Sequence, residues 1–282
     1  MTAYWHRSER VALRRVRISG SERVKLGAVE YAPLRQKLSG EVLESLDRYG
    51  GLLFEQAMPA GFIGECTRDE LTLRHVFDAI LPAIAPESSA QFPLWQNAAL
   101  NIFDLGAGAG LPSLPLAILF PQHHFHLVDA QEKRLAFGRS AAAAVGLSNV
   151  SFYHCVVQDF QKKFPNEAKA DVVVFRAFRK ILASLELALH VLPDVSPTLG
   201  GQPGAAQPKV LYWRSQPVPF SAEGTKRLSD LGYDSGQFVK FTSAEAVLPR
   251  GMYIFTQARA AVKPFPRPWK KISADSLVEA ES

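Results

Sequence analysis

Cysteine is nearly absent from this chain: Cys66 and Cys155 are the only two among 282 residues, and they stand far apart. Such a pair makes neither a metal-ligand spacing nor a disulfide framework, so a reducing, cytoplasmic setting is expected. Long apolar runs are also missing. None reaches the ~20 residues that a membrane-crossing helix needs, and the first residues lack the apolar core of a secretion signal. The arginines there are interleaved with Glu9, Glu22 and Glu30, which argues against an organelle transit peptide. No carboxylate pair and no His–Ser or His–Cys partnership stands out. The usual carriers of hydrolytic and nucleophilic catalysis are therefore not visible. Internal repeats are absent as well.

Charge is present but modest, with 32 Lys and Arg against 27 Asp and Glu, a net charge of +5. The excess is uneven. Arg7, Arg10, Arg14, Arg15, Arg17, Arg23, Lys25, Arg35 and Lys37 crowd the start, and Arg259, Lys263, Arg267, Lys270 and Lys271 follow one another near the end with no acid between them. Basic ends around a nearly neutral middle suit phosphate contacts, or else are solvated tails. Residues 1–40 are expected to be a poorly ordered basic segment, or an extension from a start codon placed upstream. Residues 41–95 are expected to be a helical part, 96–260 the main domain with a flexible insertion at 193–208, and 261–282 a basic tail.

Periodicity supports that division. Val42, Leu46, Tyr49 and Leu53, and later Leu71, His75, Phe77, Ile80 and Leu81, recur at helical steps until Pro82, Pro86 and Pro93 interrupt them. Strand-like and helix-like runs then alternate. Strands are expected at 98–104, 125–129, 150–156, 171–175 and 209–213, with a final pair at 237–242 and 252–257. Helices are expected at 112–120, 132–145, 181–192 and 222–231. This alternation predicts a doubly wound, mostly parallel α/β sheet with an antiparallel strand at its C-terminal end.

The most informative stretch follows the first strand. Asp104 is followed by Gly106, Gly108 and Gly110 at every second position, with Ala107 and Leu111 in the same loop. A strand running into side-chain-free backbone lets a ligand approach closely. The spacing is not the Gly-x-Gly-x-x-Gly of dinucleotide binders. It resembles the first motif of S-adenosylmethionine-dependent methyltransferases, in which loop amides would face the ligand's carboxylate and Asp104 its ammonium group. Asp104 also reads as a turn or capping residue. Asp129, ending the second strand, suits two ribose hydroxyls or a plain turn. Lys133 and Arg134 after it read as a solvated helix face. Gln158 and Asp159, after the third strand, suit an adenine amino group or a surface loop. Arg176 ends the fourth strand, at the edge where ligands bind in open α/β sheets. It offers a bidentate fork to phosphate or to the O6/N7 edge of guanine, or else a salt bridge. The run after it has neither the Asn/Asp-Pro-Pro-aromatic tetrapeptide of exocyclic amine methylation nor a Pro-Cys pair.

The run Asp104 to Ile118, with Pro112 and Pro115 after the glycines, resembles the signature of the small-subunit ribosomal RNA guanine-N7 methyltransferases (glucose-inhibited division protein B). Arg74-His75-x-x-Asp78, Phe175-Arg176-Ala177 and Phe265-Pro266-Arg267 resemble further motifs of that family. The resemblance covers roughly residues 41–270. Departures fall at Gly61–Cys66, Val156–Asp159, Phe175 and Arg214-Ser215. The resemblance implies a Rossmann-like methyltransferase sheet, S-adenosylmethionine as cofactor, and 16S ribosomal RNA or a small-subunit precursor as substrate, with no metal and a monomeric state. Asp104, Gly106, Ala107, Gly108, Gly110, Leu111, Asp129, Gln158, Asp159 and Arg176 would line the cofactor site. Arg176 would be catalytic and, with His75 and Arg267, would hold RNA. A nucleotide-cofactor oxidoreductase, a non-catalytic RNA-binding relative, and a methyltransferase acting on another substrate remain as alternatives.

Overall fold

Runs rich in Val, Ile, Phe and Tyr pair into one seven-stranded sheet in the computed structural model. The structure describes residues 38–84, 93–96, 99–178, 180–194, 207–241 and 250–273. Residues 1–37, expected to be poorly ordered, and most of the expected insertion at 193–208 lie outside the described residues, as do Arg179 and 274–282. The strands are β1 (Asn101–Leu105), β2 (His124–Asp129), β3 (Val150–His154), β4 (Val172–Arg176), β5 (Lys209–Arg214), β6 (Gln237–Lys240) and β7 (Gly251–Thr256). Their order is β3-β2-β1-β4-β5-β7-β6. β1 to β5 are parallel, and β7 runs antiparallel between β5 and β6. The order reverses at β1, which lies between β2 and β4, and a crevice opens at the carboxyl ends of strands on either side of such a switch.

Alternation along each strand decides which layer a side chain joins. Val172, Val174 and Arg176 of β4 point to one face, and Val173 and Phe175 to the other. The first face is covered by α1 (Gly40–Leu52), a π-helical turn (Leu53–Ala57), α2 (Arg68–Leu71), a second π-helical turn (Thr72–Phe77), α3 (Asp78–Ile84), α4 (Ser113–Leu119) and α5 (Glu132–Ala144). The second face carries α6 (Phe160–Lys163), α7 (Ile181–Ala188), α8 (Ala222–Asp230) and α9 (Trp269–Ser273). The helices ahead of β1 thus share a core with the sheet. Their Leu46, Leu53 and Leu71 are fully buried, each burial contributing about 2 kcal/mol.

Local chemistry fixes the helix ends. Ser39 caps α1, and Thr67 and Glu70 form a reciprocal capping box on α2. Gly146, at φ +74, closes α5 as its position suggests. One expectation holds and one shifts. The helical pattern read as far as Ile84 runs through Pro82, and α3 ends at Ile84. Proline has no N–H to give Asp78 O, which instead accepts the Trp213 indole N–H at 3.4 Å. The helix expected to reach Leu192 ends at Ala188, and the chain turns so that Val191 O accepts the Ala170 N–H at 2.9 Å. α6 and α9 are too short to show a period in the sequence. Within the expected basic tail, Ile272 of α9 is buried against the second face.

Candidate active site

The three glycines between β1 and α4 all have positive φ, at +81, +56 and +91 for Gly106, Gly108 and Gly110. Each meets a different neighbour. A Cβ on Gly106 would overlap the Phe178 ring, which follows β4 and stacks on Phe175 at 5.5 Å. A Cβ on Gly110 would press into Leu114 at 2.6 Å, so this glycine serves helix packing. Only Gly108 has room: its nearest neighbours would be Arg134 Nη1 at 3.8 Å and Gly106 O at 3.9 Å. Of the three loop glycines, Gly108 is thus the one with an open Cβ position, while Phe178 covers Gly106.

The loop amides correct a second expectation. Four of them are already bonded within the protein. Gly106 and Ala107 donate to Val128 O at 2.8 and 3.2 Å, and Gly110 donates to Ala107 O at 2.8 Å. Gly108 donates to Asp129 Oδ2 at 2.8 Å. The glycines let the loop fold back on the end of β2, which uses these donors. Ala107, 2% exposed, points into the core, and Leu111 packs half-buried against it. Tyr49 pins the loop from below by donating to Ala109 O at 2.8 Å.

Asp129, 7% exposed, lies against the loop. Its Oδ1 accepts the Gln131 N–H at 2.8 Å while Oδ2 takes Gly108. Two bonds leave about half of the roughly four lone-pair sites of a carboxylate unused. Beside it, Val156 after β3 is 47% exposed and offers an apolar surface, with Gln158 half-buried and Asp159 exposed on the short 3-10 turn that follows. Asp104 lies beneath the loop at 1% exposure, and its Oδ2 lacks a well-formed hydrogen bond. Burial pushes its pKa up to about 7, with Asp129 adding to the rise, while hydrogen bonds from Ser113 and the charge of Arg176 pull it down.

Arg176 is the largest departure from expectation. Its guanidinium donates to His75 O and Arg74 O, each at 2.8 Å, and to Asp78 Oδ2 at 2.7 Å. Arg250 Nε approaches Asp78 Oδ1 at 2.6 Å. The Arg-His-x-x-Asp motif therefore clasps the end of β4 to the N-terminal helices, and the salt-bridge reading of Arg176 is the one realised. His75 sits in the same clasp. Burial and the charges of Arg176, Arg74 and Arg250 push its pKa down to about 3, so it is neutral at neutral pH and offers no charge to a phosphate. Arg267 does not join them. It belongs to the opposite layer, where Nη2 and Nε grip Glu186 of α7 at 2.6–3.2 Å. Glu186 is only 1% exposed.

The sequence reading missed two residues. Tyr49 carried only a helix period, and no local signal reveals its hydroxyl's partner. Arg134 was placed on a solvated face, yet it lies beside Gly108. Its position in the first turn after Asp129 was the available signal. Among the described residues, no cluster of three or more His, Cys, Asp or Glu could hold a metal, and no helix is long and apolar enough to cross a membrane.

A sheet in this order, with an antiparallel β7, a glycine loop after β1 and an acid ending β2, defines the Rossmann-like class I methyltransferase fold. Comparison with known proteins gives the family. The model described as rRNA small subunit methyltransferase G matches residues 42–197, and the chain belongs to that family. The ribosomal RNA small subunit methyltransferase G of Geobacillus sp. (strain WCH70) is 34% identical over 155 residues, 55% of this chain and 62% of that protein. The chain thus aligns with about three-fifths of that relative's length. The protein of the same name from Limosilactobacillus reuteri (strain DSM 20016) is 29% identical over 231 residues, 82% of this chain and 89% of that one. A solved structure of Aeropyrum pernix fibrillarin with natively bound S-adenosyl-L-methionine overlaps with a TM-score of 0.41 at 14% identity, covering 57% of this chain and 68% of that one.

Proposed function

We propose that this chain transfers the methyl group of S-adenosylmethionine to N7 of a guanine in 16S ribosomal RNA, free or in a small-subunit precursor. The observation that carries the cofactor is the open face of Gly108 beside a carboxylate, Asp129, with acceptor capacity to spare. The RNA follows from family membership and the relatives' names. The cofactor supplies an activated methyl group on a sulfonium. Guanine N7 has an in-plane lone pair and no proton at neutral pH. It attacks the methyl carbon as the S–CH3 bond breaks, and the positive charge passes from sulfur to the base. No general base is needed. Catalysis is then mainly positioning, worth up to roughly 7–11 kcal/mol.

In this reading Asp129 holds the ribose, and Val156, Gln158 and Asp159 flank the adenine. Arg176 is a positioning residue that fixes the end of β4 against the Arg74–His75 turn. The experiment supplies radiolabelled S-adenosylmethionine and small ribosomal subunits from cells lacking the gene, and detects N7-methylguanine by strand scission. Label at a single guanine N7 is expected. Tight NAD(P) binding without S-adenosylmethionine binding, or label on another atom, overturns the proposal.

A further inference from the structure

The methyl donor carries one anionic group, the carboxylate of its amino-acid end, and the amides of Gly106, Ala107, Gly108 and Gly110 are already bonded within the protein. With these four amides spent, a nearby side-chain donor is well placed to meet that charge. Arg134, in the first turn of α5, is half-buried. Its Nε is buried and has no hydrogen-bond partner among the described residues. Its neighbours differ: Arg139 of the same helix pairs with Glu132. The Arg134 guanidinium carbon stands 6.0 Å from the centre of the Phe62 ring, which packs edge-on against Phe137. Nη1 lies 3.8 Å from where a Cβ on Gly108, the open glycine of this loop, would sit. A partly buried guanidinium with an unsatisfied donor is an unfavourable arrangement unless an acceptor completes it.

We infer that Arg134 is the anion-binding residue beside Gly108, taking the carboxylate of the methyl donor through its donor fork while Phe62 supports the guanidinium from the side. Planar carboxylates match that fork geometrically. The inference rests on the proposed function and deepens it, because it assigns the amino-acid end of the cofactor to a residue outside the glycine motif.

The test compares two ligands on the intact protein. S-adenosylhomocysteine carries the carboxylate; 5′-methylthioadenosine has the same adenosine thioether without the amino-acid end. Calorimetric titration of wild type and Arg134→Gln is expected to show S-adenosylhomocysteine weakened about 10- to 100-fold, with 5′-methylthioadenosine unchanged. Arg134→Lys should recover part of the loss. Retained 5′-methylthioadenosine binding also shows that the variant is folded. Equal weakening of both ligands, or no change in either, overturns the inference. So does a variant that keeps S-adenosylhomocysteine affinity but loses RNA affinity, since the arginine would then serve a phosphate. If wild type itself binds neither ligand, the methyltransferase reading fails, and this inference fails with it.

Discussion

Asp104→Asn isolates the most strained group of the site. Burial moves this carboxyl from its ordinary 3.8 to about 7, a displacement equivalent to about 4 kcal/mol. The sign follows from proton counting. Between about pH 4 and 7 the native protein keeps a proton on Asp104 that the unfolded chain has released. This contribution to stability is complete at about pH 4 and lost as pH rises through about 7. Asparagine has the shape of the protonated acid and cannot ionise. The variant should match wild type near pH 4, and near pH 8 should exceed it by up to about 4 kcal/mol.

Wild type alone would not reveal this. His75 and His126 have native pKa values lowered to about 3 and about 4, mainly by burial. For them the unfolded chain binds more protons, so stability rises from about pH 3 to 6.5, against the Asp104 trend. The difference between variant and wild type cancels both histidines. Urea denaturation near pH 5 and near pH 8 measures it. A variant equally shifted at both values, or less stable than wild type near pH 8, refutes the argument. The second result would mean that Arg176 and Ser113 outweigh desolvation. Ligand binding gives an independent reading. A cationic methyl donor favours the ionised carboxyl, so its affinity should rise with pH through about 7 in wild type and stay flat in Asp104→Asn.

The other predictions concern neighbouring residues. Gly108→Val should abolish S-adenosylmethionine binding in calorimetry and lower stability only by the strain of a positive φ, about 1–3 kcal/mol. Gly110→Val, which meets Leu114, should instead give little folded protein, and equal effects of the two would remove the distinction between an open and a packed glycine. Arg176→Ala strands two carbonyls and leaves Asp78 with Arg250; it should lower stability by about 3 kcal/mol and cut turnover while leaving cofactor affinity nearly unchanged. Lost turnover at unchanged urea stability would make Arg176 a substrate-contacting residue rather than a clasp.

Strands could be read from the sequence almost to their ends because a parallel strand buried on both faces must be apolar throughout, as Val172–Phe175 is. The glycine loop was legible for a similar reason: backbone that needs positive φ leaves its mark in residue type. What could not be read is which donors and acceptors remain once the chain has folded. Arg176 and Arg134 make the point together. The sequence places Arg176 at the active edge and Arg134 on a solvated helix. Yet the fork of Arg176 is taken up by acceptors 98 to 102 positions away, two of them carbonyls that any residue would supply. Arg134 keeps an unsatisfied Nε and brings Nη1 close to the open glycine of the loop. A side chain's type sets the bonds it can make, but function belongs to the capacity left after folding has used its share. By that criterion the available charge at this cleft lies on the helix after β2, and the arginine ending β4 holds the wall in place.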